Sequence, residues 1–125
     1  MTLKRLQVIS VPVGDQDRAK AFYVDTLGFE LLSDTPMGPE QRWVQVGPKD
    51  GETSITLVTW FASMPPGSLK GIVLECDDVQ ASRDELAARG VTFLQDIEEQ
   101  PWGTFTTFDD PDGNGWVLSQ APQRR

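Results

Sequence analysis

Nineteen carboxylates, four indoles and one thiol are the groups in this chain that could do chemistry, and no imidazole accompanies them. The absence of histidine excludes a histidine-based triad, histidine acid–base catalysis and imidazole metal ligation together. Cys76 is the only cysteine, so no intrachain disulfide can form, which fits a reducing cytoplasm. No cation adjoins it to lower its pKa, so a nucleophilic role has little support. The carboxylates gather at Glu75-Asp77-Asp78, Asp96-Glu98-Glu99 and Asp109-Asp110-Asp112. Against eleven Lys and Arg they leave a net charge of −8. Such a field repels phosphate backbones and favours a cationic ligand, so nucleic acid is not an expected partner. Most of these carboxylates read as solvated loop residues, the three of Asp109–Asp112 included. The indoles are Trp43, Trp60, Trp102 and Trp116. They could stack on a planar ligand or pack in a core.

The positions of these groups depend on the elements that carry them. Leu6 to Val13 alternates as a strand, with Ile9, Val11 and Val13 on one face. Pro12 has no N–H to donate, so this strand lies at an edge or ends there. Asp15 or Gly14 starts a helix whose stripe is Ala19, Phe22, Tyr23, Thr26 and Leu27. Gly28 ends it. Phe29 to Ser33 reads as a strand, Asp34 to Glu40 as a loop, Arg42 to Val46 as a strand and Ser54 to Trp60 as a fourth. The order is β-α-β-β-β.

That order then repeats. Leu69 to Cys76 is a strand, Asp77-Asp78 caps a helix to about Arg89, and Gly90 ends it. Val91 to Leu94, Trp102 to Phe108 and Gly115 to Gln120 supply three more strands. Gly28 and Gly90 stand 62 positions apart, so the halves share one layout despite low side-chain identity. The predicted fold is α+β: two βαβββ modules forming cup-shaped mixed sheets. Module one covers about 4–60, a Pro/Gly-rich linker 61–68, and module two about 69–121. The longest apolar runs are a few residues, so no membrane span is expected, and no apolar run follows the N-terminus to suggest a signal peptide.

Alternation assigns two faces to each sheet. Ile9, Val11, Ile55, Leu57, Ile72, Leu74, Trp116 and Leu118 face the helices. The opposite set includes Ser10, Thr56, Glu75, Val117 and Ser119, with Trp43 and Gln45 on the matching face of their strand. If the two sheets curl toward each other, this set lines a cavity, with Trp60 and Trp102 at its rim. Glu75 is the one ionisable residue placed on that face. Desolvated, it could act as a base or pair with a ligand cation. Tyr23 and Cys76 read as helix-side packing.

Three stretches carry a family resemblance: Val11-Pro12-Val13-Gly14-Asp15, Ala21-Phe22-Tyr23 and Leu27-Gly28-Phe29-Glu30. Together with Asp77-Asp78, Ala88-Arg89-Gly90-Val91 and Phe108-Asp109-Asp110-Pro111-Asp112-Gly113-Asn114, they resemble the vicinal oxygen chelate superfamily. That group includes glyoxalases, bleomycin-resistance proteins and extradiol dioxygenases. The resemblance implies paired βαβββ modules, a homodimer and a cavity per cup-shaped sheet. The metal enzymes of the group place His or Glu ligands at four positions, which here hold Val8, Thr56, Gly71 and Val117. One hydroxyl cannot hold a divalent ion, so no metal and no cofactor is expected, and glyoxalase or dioxygenase activity is rejected.

The leading expectation is therefore metal-independent binding of a cationic or aromatic small molecule, similar to the antibiotic-sequestering branch. The ligand-binding candidates are Trp43, Gln45, Trp60, Glu75, Trp102, Ser10, Thr56 and Val117. The alternatives are a metal-independent lyase or isomerase using Glu75 or a cavity hydroxyl, and a dimeric interaction module without a ligand.

Overall fold

Two aspartates set the helix starts. Asp15 is extended and accepts from the backbone N–H groups of Asp17 and Arg18 at 3.0 and 3.1 Å. Asp78, not Asp77, does the same for Ala81 at 3.1 Å. Each cap satisfies donors that the first turn leaves free, at about 1 kcal/mol. Gly28 and Gly90 close the two helical segments at φ 81° and 98°, a region that costs glycine little. The computed structural model describes residues 2–39 and 41–122.

The order is β1 (Val8–Pro12), α1 (Gln16–Ala21) continued by a π-helical turn (Phe22–Thr26), β2 (Glu30–Pro36), β3 (Arg42–Gly47) and β4 (Ser54–Val58). Then come β5 (Ile72–Glu75), α2 (Val79–Ala88), β6 (Glu98–Gln100), β7 (Gly103–Asp109) and β8 (Gly115–Gln120). They form two four-stranded mixed sheets, ordered β1-β4-β3-β2 and β5-β8-β7-β6. In each, the first strand pairs in parallel with the last and the remaining pairs are antiparallel. The repeated layout is therefore a repeated topology, and Pro12 sits on an edge strand as its missing donor requires.

Some elements differ from the sequence expectation. β2 runs on through Asp34 and Thr35, which pair with Val44 and Trp43, where a loop is predicted. Arg42 draws it in: its Nε meets Asp34 Oδ1 at 2.7 Å, across the β2–β3 ladder. Glu40, the end of that predicted loop, lies outside the described residues. Val91–Leu94 is no strand of β6's sheet beyond one bridge, Phe93 to Phe108. The Thr106 hydroxyl takes the Gln95 carbonyl at 2.9 Å, which interrupts the ladder, and pairing resumes only at Glu98.

Both modules contribute to one core. Val11, Leu57 and Tyr23 from the first cluster with Phe108, Trp116 and Leu118 from the second. These are helix-side residues, so each sheet turns its helix-side face inward and its other face outward. The expectation that the two sheets curl toward each other to line one cavity does not hold within a chain. The inward faces are joined instead, by buried aromatic packing and by the turn between β7 and β8. Ile9 is the exception among the helix-side residues, 36% exposed at the rim between the modules.

That turn is a polar lock. Asp110 is 4% exposed and its carboxylate accepts from Asp112 N, Asn114 N, Asn114 Nδ2 and the Tyr23 hydroxyl. Asn114 Nδ2 also donates to the Pro12 carbonyl at 2.7 Å, and Asp112 accepts from Gly14 N and from Arg18. Asp110 and Asp112 are thus buried structural acceptors, not solvated loop carboxylates. Sequence reading treats acidic turn residues as wet because their partners lie about a hundred positions away.

Candidate ligand-binding faces

The outward face of the first sheet is built from cross-strand rows. Ser10 pairs with Thr56, and Thr56 with Gln45. Trp43 lies one step along β3 on the same face. A directed hydrogen-bond chain runs across it. The Trp43 indole N–H donates to Gln45 Oε1 at 3.0 Å, Gln45 Nε2 to Ser54 Oγ at 2.7 Å, and Ser54 Oγ to the Gln7 carbonyl at 3.1 Å. Thr56 is 1% exposed, and its hydroxyl has no partner among the described residues. Beyond the end of β4 lies a mixed polar and apolar alcove of about 350 Å³, where Val13, Val58, Trp60, Phe61 and Met64 meet. Of the predicted set, then, Ser10, Trp43, Gln45 and Thr56 lie together, with Trp60 beside them.

The outward face of the second sheet is more open. Val73 pairs with Val117 and Val117 with Thr107; Glu75 pairs with Ser119 and Ser119 with Phe105. A hollow of about 350 Å³ is lined by Lys70, Gly71, Leu94, Thr107 and Val117. Val73, Leu94 and Trp102 are 64%, 59% and 60% exposed. Trp102 stacks on Phe105, centroids 5.0 Å apart and planes at 23°. Exposed apolar side chains clustered on one sheet face mark a surface made to be covered.

Within one chain, Glu75, Trp102 and Val117 are therefore not brought to Ser10, Trp43, Gln45 and Thr56. Glu75 is exposed and borders an intermodule cleft of about 400 Å³ with Lys49, Cys76, Ser82 and Arg89. Burial, more than the Ser82 hydrogen bond opposes it, pushes the Cys76 thiol above its ordinary pKa. That disfavours its thiolate, the form that reacts. Trp116 is 3% exposed in the core, donating its indole N–H to Tyr23 at 3.0 Å.

A family model described as the glyoxalase/bleomycin resistance protein/dioxygenase superfamily matches residues 5–118. The chain belongs to this superfamily. It is 38% identical over 121 residues to the uncharacterized protein YetH of Bacillus subtilis, covering 94% of this chain and 99% of that protein. Among solved structures, TnmS3, an antibiotic binding protein from Streptomyces sp. CB03234, is 49% identical with a TM-score of 0.92. The match covers 98% of this chain and 99% of that one. UcmS2 is 34% identical with a TM-score of 0.85, over 96% of this chain and all of the other.

The superfamily's metal enzymes hold an ion at four positions, and this chain's residues there do not fit one. Val8, Gly71 and Val117 present no donor atom, and Thr56 presents a neutral hydroxyl. Among the described residues no three Asp, Glu or Cys side chains converge to hold a metal ion. No described helix is long and apolar enough to cross a membrane.

Alternation in β7 could have found Phe105 and Thr107, which share a face with each other as Val117 shares one with Ser119. Gln95, Phe61 and Met64 had no such signal, because irregular segments carry no periodicity.

Proposed function

We propose that this superfamily member binds a small cationic or aromatic molecule without metal, sequestering it rather than transforming it. The observation that carries the reading is the character of the two outward sheet faces. They bear indoles, hydrogen-bonding groups and exposed apolar side chains, and the hollow of the second also holds the exposed Lys70–Asp109 ion pair at 3.9 Å. The 49% identity to an antibiotic binding protein, across nearly all of both chains, supports the same reading. So does the net charge of −8, which favours a cation.

The binding unit in this reading is a homodimer. Each outward face is half of a cup: polar and indole-bearing on the first sheet, apolar on the second. Setting the first sheet of one copy against the second sheet of another brings Trp43, Gln45 and Thr56 opposite Val117 and Trp102. The single free thiol fits a reducing, cytoplasmic setting. Glu75 stands exposed without a partner acid, and no observation favours an enzymatic role for it.

Tryptophan fluorescence titration tests the proposal, using bleomycin as a cationic glycopeptide and daunorubicin as a planar aromatic amine. Saturable quenching at about micromolar concentration is expected for at least one probe, and Trp43→Ala should weaken it about tenfold or more. Unquenched fluorescence across a varied panel of such compounds would sink the reading.

A further inference from the structure

The hydrogen-bond chain on the first sheet has a fixed direction, and that direction selects a ligand. An indole N–H can only donate, so Trp43 fixes the Gln45 carbonyl oxygen toward itself. The Gln45 amide nitrogen must then face Ser54, and it spends one N–H on Ser54 Oγ. Its second N–H has no partner among the described hydrogen bonds. Cross-strand from it is Thr56, buried with an unpartnered hydroxyl, and next to Thr56 is Ser10. Neighbouring strands lie about 4.8 Å apart, so the three residues form a row roughly 10 Å long. Gln45 thus keeps one amide N–H free, in a row with the Ser10 hydroxyl and the buried Thr56 hydroxyl.

We propose that this row recognises a neutral carbonyl oxygen on the ligand, with the ring that bears it seated toward the Val58–Trp60–Phe61 alcove. This deepens the binding reading above and rests on it. A carboxylate would satisfy the same donors, but the charge of −8 disfavours it. The alcove begins at Val58, two residues along β4 from Thr56, or roughly 7 Å at the rise of a strand. The favoured ligand therefore carries a carbonyl about one ring's width from an apolar or aromatic body.

A matched pair of probes tests this: 1-indanone, which has the carbonyl, and indane, the same bicycle without it. Both are titrated into ¹⁵N-labelled protein, following the Trp43 indole and Gln45 side-chain N–H signals. In each of Gln45→Leu and Thr56→Val, the preference for 1-indanone over indane should fall about tenfold relative to wild type, the worth of one hydrogen bond. Indane affinity should stay within about twofold. Thr56→Val is isosteric, and removing a buried unpartnered hydroxyl should leave the fold intact or raise its melting temperature. An unchanged preference in both variants overturns this inference and leaves the binding reading standing. Failure of either probe to shift any outward-face signal overturns both.

Discussion

Replacing Tyr23 with Phe removes one oxygen atom from the seam between the modules. That oxygen donates to Asp110 Oδ2 at 2.6 Å and accepts from Trp116 Nε1 at 3.0 Å. The ring itself keeps its packing on Phe29 and Trp116. Asp110 retains Asp112 N, Asn114 N and Asn114 Nδ2, so it loses one charge-assisted bond, about 1.5–3 kcal/mol. Trp116 Nε1 is left buried without its acceptor, a further cost of about 1–3 kcal/mol. The two losses share an atom and do not simply add, so about 3 kcal/mol is expected. For a chain of this size that is roughly 10 °C in Tm. Urea unfolding followed by far-UV circular dichroism reads it, with an unchanged m-value showing that the fold persists.

The same residue carries a pH signature. Burial first, then the negative Asp110 and its hydrogen bond, push the Tyr23 hydroxyl far above its ordinary pKa near 10. A raised folded pKa favours the neutral form. The contribution is complete below pH 10 and is lost as pH rises beyond it, because the unfolded chain releases the proton first. The slope is about 1.4 kcal/mol per pH unit above 10, and Tyr23→Phe lacks it. Tyr23 is the only tyrosine, so tyrosinate absorbance near 295 nm reports it alone. A cost below about 0.5 kcal/mol, or tyrosinate forming near pH 10 in the folded protein, would refute the lock.

Three other outcomes follow from the same structure. Gly67→Ala should cost about 3 kcal/mol or more in urea unfolding, since a Cβ there falls 2.2 Å from the Asp112 carbonyl oxygen at a φ of 82°. Asp34, held below the usual carboxylate range by Arg42 and then Lys20, stabilises the fold above about pH 4, and that contribution is lost as pH falls through its lowered pKa. Asp34→Asn should therefore lower the urea midpoint at pH 7, by under about 1 kcal/mol for so exposed a cluster, with the gap to wild type closing as pH falls through that lowered pKa. Cys76, its thiol pushed up by burial, should react with iodoacetamide at pH 8 more slowly than free cysteine, reaching the free rate in denaturing urea.

The regular elements were readable because strand alternation and helix caps are local. Asp15, Gly28, Asp78 and Gly90 mark the helix ends in sequence and do so in space. The helix-side face was likewise legible from Val11, Leu57, Trp116 and Leu118, all buried. What periodicity cannot give is which way two modules face. Their orientation is decided by Tyr23, Asp110 and Asn114, whose contacts span 87 to 102 positions. The same long range hid the burial of Asp110 and Asp112. The predicted site residues therefore lie divided between the outward faces of two sheets. β6 was displaced because a threonine hydroxyl took a backbone carbonyl, which no propensity records.

Mixing two binding-deficient variants tests the shared site most directly. Trp43→Ala damages the first-sheet half of the cup and Val117→Arg the second-sheet half, so each homodimer should fail to bind the panel compound that wild type binds most tightly. After subunit exchange, a heterodimer would hold one intact half-pair and one doubly damaged one. An equal mixture should then regain about a quarter of the wild-type binding stoichiometry, as random exchange between two-fold dimers requires. No recovery, with heterodimers present by native mass spectrometry, or full binding by either variant alone, would contradict a site completed by a second copy.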